Sequence, residues 1–329
     1  MLMLEIILST LVIVVGFAAL IKGADALVDG ATYLAKRIGV SELLIGLTIV
    51  AFGTSLPELV VSILSVVEAD SDLAVGNLLG SNITNIFLVL GVGSLLHKLQ
   101  VKHITVWREV LFAAGAGVLL LVLVADQFLG QSAFVGLDGI DGIVLLTMFF
   151  LFLYYSFGSS NIDLKQAEQE AENHPHISIA NMLMMILLGT VGLVVGGQLI
   201  IYGSQTLAGL FGIADGIIGL TIVALGTSAP ELAAVIAAVR KQNSDIAIGT
   251  VVGSNLFNTL WVLGLAAIIA PLPFTDPQQM VSAVVGAAAG LLLFVMVAFG
   301  KGKHVIGKPT AALFLTSFVA YYAYLSLSL

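Results

Sequence analysis

The chain has 329 residues, of which 59% are hydrophobic and 10% charged, with a mean hydropathy of +1.11. Soluble globular domains carry about 25% charged residues, so this composition excludes one. Twelve Lys and Arg against twenty Asp and Glu give a net charge of −8, which offers no basic surface for nucleic acid, and the lack of cysteine excludes disulfides and thiolate metal sites.

Apolar runs of roughly 18 residues or more, enough to cross the hydrocarbon core, recur along the chain. They predict ten spans, at about 3–22, 43–67, 72–95, 107–125, 139–157, 178–202, 216–238, 245–270, 280–299 and 309–328. The first begins without a basic region or a small-residue cleavage site and reads as a retained helix, not a signal peptide. The expected class is an all-α polytopic membrane protein. A polar stretch carrying Glu168, Glu170 and Glu172 separates a first five-helix repeat (1–157) from a second (178–329). That linker (158–177) is too short for a regulatory domain. His174 and His176 within it read as a solvated loop rather than a metal site.

The two halves share text. Gly-Leu-Thr-Ile-Val-Ala-Phe-Gly-Thr-Ser-Leu-Pro-Glu-Leu at 46–59 and Gly-Leu-Thr-Ile-Val-Ala-Leu-Gly-Thr-Ser-Ala-Pro-Glu-Leu at 219–232 agree at twelve of fourteen positions, offset by 173 residues. The same offset aligns 72–85, which contains Gly-Ser-Asn-Ile-Thr-Asn, with 245–258, which contains Gly-Ser-Asn-Leu-Phe-Asn. One register across both blocks marks a duplicated unit. Five spans per copy is odd, so the second copy enters the membrane from the opposite side. Inverted repeats of this kind build secondary transporters with sites at the midplane between the halves.

Lys and Arg accumulate in short cytoplasmic loops. In the ten-span arrangement Lys22, Lys36, Arg37, Lys98, Lys102, Arg108, Lys165, Arg240, Lys241, Lys301, Lys303 and Lys308 all fall on one side. The opposite loops hold Glu68, Asp70, Asp126, Asp138 and Asp276. This predicts a multi-pass cell-membrane protein with both termini outside and the linker cytoplasmic.

Of the acidic residues, only Glu58 and Glu231 sit deep within spans. A charge at the bilayer centre costs about 2.5–3.5 kcal/mol on insertion scales, so such residues face a cavity and serve function. No Lys or Arg lies deep enough to pair with them. Thr54 and Ser55 precede Glu58 at helical spacing, as Thr227 and Ser228 precede Glu231. Ser81 and Asn85 stand four apart on the next span, as do Ser254 and Asn258. Carboxylate, hydroxyl and amide oxygens without sulfur or imidazole suit hard cations such as calcium or sodium. Pro57 and Pro230 lack the N–H that bonds the carbonyl four residues earlier, which frees the carbonyls of Gly53 and Gly226 to line a cavity. The Gly76/Gly80 and Gly249/Gly253 pairs predict close helix packing. Asp72 and Asp245 are expected helix N-caps, and the glycosylation sequon at Asn82 is fortuitous inside a span.

Gly-Thr-Ser-x-Pro-Glu-Leu followed by Gly-Ser-Asn-x-x-Asn, present twice, resembles the alpha repeats of the sodium/calcium exchanger family within the cation/calcium antiporter superfamily, in its bacterial or archaeal form without a regulatory domain. The match is specific over about 40 residues in each half. The resemblance implies ten helices in two inverted five-helix repeats and calcium extrusion driven by inward sodium flow. By position it implies Glu58, Asn85 and Glu231 as calcium ligands. Thr54 and Thr227 join them as calcium ligands, and Ser55, Ser81, Ser228 and Ser254 as sodium ligands. Ala51 and Ala224 contribute carbonyls to sodium, and Glu58 and Glu231 serve both ions. Asn258 departs from members that carry aspartate there, leaving two central carboxylates. Potassium-dependent relatives have aspartates where this chain has Glu231 and Asn258, and proton-coupled relatives have Gly-Asn-Ala-Thr-Glu for Gly-Thr-Ser-x-Pro-Glu. The first difference leans against potassium dependence, and the second against proton/calcium exchange.

The expected mechanism is alternating access around a site formed by spans 2, 3, 7 and 8, with spans 1 and 6 as the moving gate. Two ionised glutamates match one Ca²⁺, and emptied they oppose occlusion by roughly 5–7 kcal/mol, which enforces exchange over leak. The implied partners are calcium, sodium and the bilayer, with a monomeric protein and no cofactor beyond the transported ions. The alternatives are a proton-coupled or broader divalent-cation exchanger and a cation channel. An enzyme is not expected, because no embedded His–Asp pair, Ser–Lys dyad or metal-ligating histidine is present.

Overall fold

A computed structural model describes residues 2–125, 135–158, 177–211, 224–274, 276–300 and 304–327. Its helices are α1 (Leu2–Ile38), α2 (Glu42–Thr54 and Leu56–Val67), α3 (Ser71–Leu96), α4 (His103–Val124) and α5 (Gly139–Gly158) in the first half. The second half has α6 (Ile179–Leu210), α7 (Ala224–Thr227 and Ala229–Arg240), α8 (Ser244–Ile269), α9 (Pro277–Phe299) and α10 (Lys308–Leu327). Each of these ten elements overlaps one of the ten expected spans. The start of the seventh span, most of the linker, and Asp126, Lys165, Lys301 and Lys303 lie outside the described residues.

α1 corrects the expected span 3–22. It continues for 37 residues, about 55 Å at 1.5 Å per residue, because nothing in the sequence breaks it before Gly39, whose φ of 72° ends it. Lys22, Asp25, Asp29, Lys36 and Arg37 therefore lie on the helix itself, not in a loop. α6 likewise runs past 202 to Leu210.

α1 and α6 cross antiparallel along a glycine seam. The offset of 173 carries Gly16, Gly23 and Gly30 onto Gly189, Gly196 and Gly203. Gly16 lies against Gly196 and Gly23 against Gly189, while Gly30 meets Met182 and Gly203 meets Ser9. Each contact and its exchanged partner are both present, as a two-fold axis between inverted repeats requires. Inside this pair, α3 and α8 form the centre. In their most apolar windows 78% and 72% of residues are buried, against 17% for α1 and 28% for α6. α1 and α6 accordingly turn Val14, Val15, Leu187 and Leu188 toward lipid.

α2 bends by 50° at Ser55, where Pro57 opens its second half. α7 breaks at the equivalent Ser228, ahead of Pro230. The two serines share nearly one backbone conformation, φ −86° with ψ 8° and 3°. The same helices end on left-handed Ala69 and Gln242 (φ 63° and 55°), again 173 residues apart. Proline is not the only source of irregularity. π-helical turns widen Gly46–Val50, Asn85–Leu90, Val106–Val110 and Phe257–Val262, a distortion that concentrates at functional sites. Gly249 and Gly253 bring α8 onto Leu43, Gly46 and Leu47 of α2. At Gly76 and Gly80 an added Cβ would meet nothing among the described residues, so the close packing expected there is not seen among them, and the start of the seventh span lies outside them.

The expected caps move two residues upstream. Asp70 accepts from Leu73 N and Asn243 from Ile246 N, since only a residue just ahead of the first turn reaches those amides. Asp72 instead accepts from Gln279 and Asp245 pairs with Lys102. Two short antiparallel ribbons tie the halves together at opposite ends: β1 (Leu99–Gln100) pairs with β4 (Val305–Ile306), and β2 (Gly136–Leu137) with β3 (Leu272–Pro273). Loops after odd spans thus meet each other, as the parity of ten crossings demands.

A Cβ at Gly23 would lie 2.7 Å from Leu193 N and 2.8 Å from Gly189 O, whereas one at Gly115 on α4 meets nothing. Gly23→Ala is expected to destabilise the purified protein by about 1–3 kcal/mol in thermal unfolding, and Gly115→Ala not at all. Equal midpoints would contradict the close seam.

Candidate cation-binding site

The break at Ser55 turns the second half of α2 so that Glu58 points into the bundle, and the break at Ser228 does the same for Glu231. Both carboxylates are 0% exposed. The eight neighbours singled out in sequence (Thr54, Ser55, Ser81, Asn85, Thr227, Ser228, Ser254 and Asn258) are buried as well. Glu109 and Asp141 are nearly as buried but lie within two turns of the starts of α4 and α5.

The two repeats interlock at this point. Ser55 Oγ of the first donates to Glu231 Oε1 of the second at 3.1 Å, and Ser254 Oγ donates to the same oxygen at 3.4 Å. Ser81 Oγ donates to Glu58 Oε1 at 3.3 Å. Thr54 and Ser254 hydroxyls share a 3.3 Å bond across the repeats. Glu231 thus takes hydroxyls from both repeats, and Glu58 one from its own. The bond expected from Ser228 to Glu58 by symmetry is not made, and Ser228 Oγ has no partner among the described residues.

Five of the buried oxygens without a partner among those residues belong to the residues singled out in sequence: Glu58 Oε2, Glu231 Oε2, Ser228 Oγ, Asn85 Oδ1 and Asn258 Oδ1. Each unsatisfied buried polar atom costs about 1–3 kcal/mol, more when charged. The five lie on four helices and are of the oxygen type that hard cations such as calcium take as ligands. The Ala51 carbonyl accepts from Ser55 N at 3.0 Å and from Thr54 Oγ1 at 3.2 Å, so both its lone pairs are engaged. It becomes available to an ion only when Thr54 turns away. Ala224 opens the described part of α7.

The sequence reading missed two residues. Asn82 and Asn255, the asparagines of the repeated Gly-Ser-Asn, join the halves through their amides. Asn85 Nδ2 donates to Asn255 Oδ1 at 3.0 Å, Asn255 Nδ2 to Asn82 O at 3.1 Å, and Asn82 Nδ2 to Thr259 Oγ1 at 2.8 Å. Their recurrence at the 173-residue offset was the available signal; the burial of Asn82 also removes its sequon from any glycosylating enzyme.

The family model for the sodium/calcium exchanger protein matches residues 8–158 and 181–327. The putative antiporter CaxA of Alkalimonas amylolytica is 37% identical over 96% of this chain and 98% of its own length. The sodium/calcium exchanger MaX1 of Methanosarcina acetivorans is 31% identical over 90% and 93%. Among solved structures, the sodium-calcium exchanger NCX_Mj soaked with 10 mM Na⁺ and 10 mM Sr²⁺ superposes with a TM-score of 0.83 at 28% identity, covering 97% of this chain and 98% of that one. The fold is therefore the ten-helix inverted repeat of a cation/calcium antiporter, and the chain belongs to the sodium/calcium exchanger protein family.

Proposed function

We propose that this protein exchanges sodium for calcium by alternating access and extrudes calcium across the cell membrane as a monomer. Glu58, Glu231, Thr54, Thr227 and Asn85 hold calcium. Ser55, Ser81, Ser228, Ser254 and the carbonyls of Ala51 and Ala224, with the same two glutamates, hold sodium. Asn258 is a neutral neighbour of both. Residues 1–157 and 178–329 act as the two inverted halves, joined by the linker 158–177. The distribution of basic residues supports a cytoplasmic linker and termini on the outside.

The observation that carries this reading is the set of five buried, partnerless oxygens around two carboxylates from opposite repeats. A cation supplies the positive partner that both carboxylate oxygens lack. Two ionised glutamates match Ca²⁺ in charge, and sodium ions neutralise the same pair in turn. Sodium as the coupling ion is supported by the name of MaX1, a sodium/calcium exchanger, and by Gly-Thr-Ser-x-Pro-Glu at both sites. Switching with the pair empty leaves two desolvated charges in repulsion, so exchange dominates over leak.

In proteoliposomes, Glu58→Gln and Glu231→Gln are each expected to lower sodium-driven ⁴⁵Ca²⁺ flux at least a hundredfold while leaving yield and thermal midpoint near the parent. Retained flux in both would contradict the assignment. An imposed sodium gradient should drive calcium uptake, and a proton gradient alone should not; the reverse result would establish the proton-coupled alternative. Protons bind the same carboxylates as calcium. Acidification should therefore raise the apparent KM for calcium with little change in maximal rate, and a pH-independent KM would place calcium elsewhere.

A further inference from the structure

We infer that Asn255 is a positioning residue for calcium: it sets the Asn85 amide so that oxygen, not nitrogen, is left for the ion. This rests on Asn85 being a calcium ligand, as proposed above. The orientation is determined from a fixed end. Asn255 Nδ2 reaches the backbone carbonyl of Asn82 at 3.1 Å, and a carbonyl can only accept. The NH₂ of Asn255 is thereby committed to Asn82, and its Oδ1 is the atom that faces Asn85. An oxygen there requires a donor, so Asn85 turns Nδ2 toward it, at 3.0 Å. The other arm of the Asn85 amide, Oδ1, is left buried and without a partner among the described residues.

The two arms of an amide have nearly the same shape, and only their hydrogen bonds decide which way each points. An Asn85 without this anchor is not held with its oxygen toward the ion beforehand, and each time its NH₂ faces the site a donor hydrogen opposes the cation. Partners that orient a ligand in this way are worth ten- to a hundredfold in metal affinity.

The other repeat lacks the device. The 173-residue offset carries Asn85 to Asn258 and Asn255 to Asn82. Asn82 spends its Nδ2 on Thr259 Oγ1 at 2.8 Å, and both Oδ1 and Nδ2 of Asn258 are partnerless among the described residues. Asn82 also borders, with Asn255 and Thr259, a cavity of about 40 Å³ among α3, α4, α8 and α9, whose lining includes none of the proposed ligands. The site thus has one oriented amide and one that is free to turn, which assigns the amide contribution to calcium binding to Asn85.

The test is the apparent KM for calcium and for sodium in proteoliposomes containing the full chain. Asn255→Ala should raise the calcium KM roughly ten- to a hundredfold and leave the sodium KM within about twofold. Asn255→Leu, which keeps the volume without donor or acceptor, should do the same and serves if the alanine variant does not fold. Asn82→Ala retains the backbone carbonyl and should leave both constants near the parent, although its side chain belongs to the same network. Asn85→Ala should raise the calcium KM, and adding Asn255→Ala to it should raise it no further. The inference is overturned if Asn255 variants leave the calcium KM unchanged, move both ions alike, match Asn82→Ala, or multiply with Asn85→Ala. If Asn85→Ala itself leaves the calcium KM unchanged, the ligand assignment beneath it fails instead.

Discussion

Two carboxylates from opposite repeats, both taken fully out of water, lose their hydration together. Glu58 and Glu231 are in that position, and most of the surrounding architecture answers the problem they pose. Hydroxyls of Ser55, Ser81 and Ser254 each satisfy part of the pair, yet one oxygen on each carboxylate stays partnerless among the described residues. Neutral donors alone cannot balance two charges in a low dielectric. On the proposed reading a positive ion completes the site, and that need couples occupancy to conformation.

The inverted repeat is what brings the carboxylates together. Each half supplies one broken helix, a central helix with a π-turn (Asn85–Leu90 and Phe257–Val262) and one flank of the glycine seam, and the contacts Gly16–Gly196 and Gly23–Gly189 exchange under the two-fold axis. The backbone symmetry does not extend to the charges. Lys241 Nζ lies 2.7 Å from Asp29 and 3.8 Å from Asp25, joining the end of α7 to α1. The 173-residue offset carries these residues to Glu68, Tyr202 and Gln198, where no such ion pair can form. One end of the molecule therefore has an electrostatic tie that the other lacks, although an exposed pair of this kind contributes only about 0–1 kcal/mol.

Much of this was legible in the sequence because the membrane imposes strong constraints. Hydrophobic length located ten spans, and the constant 173-residue register located both glutamates and their hydroxyl neighbours. The length of α1 was not legible from hydropathy, since a helix leaves the bilayer without a compositional mark and stops only at Gly39. Nor were the π-turns at Asn85 and Phe257, which arise from packing and not from propensity. Asn82 and Asn255 were passed over because one resembled a sequon and neither lay on the same helical face as a glutamate. Their roles appear only when the two repeats are set against each other. The shift of the N-caps from Asp72 and Asp245 to Asp70 and Asn243 has the same character, since two adjacent polar candidates are resolved only by which amide each can reach.

The most direct test is anomalous diffraction from crystals of the protein grown with calcium and without sodium. A single strong peak about 2.3–2.6 Å from carboxylate oxygens of both Glu58 and Glu231 is the expected result. A peak at the surface carboxylates Glu42 and Asp245, with none between the two buried glutamates, would contradict the account.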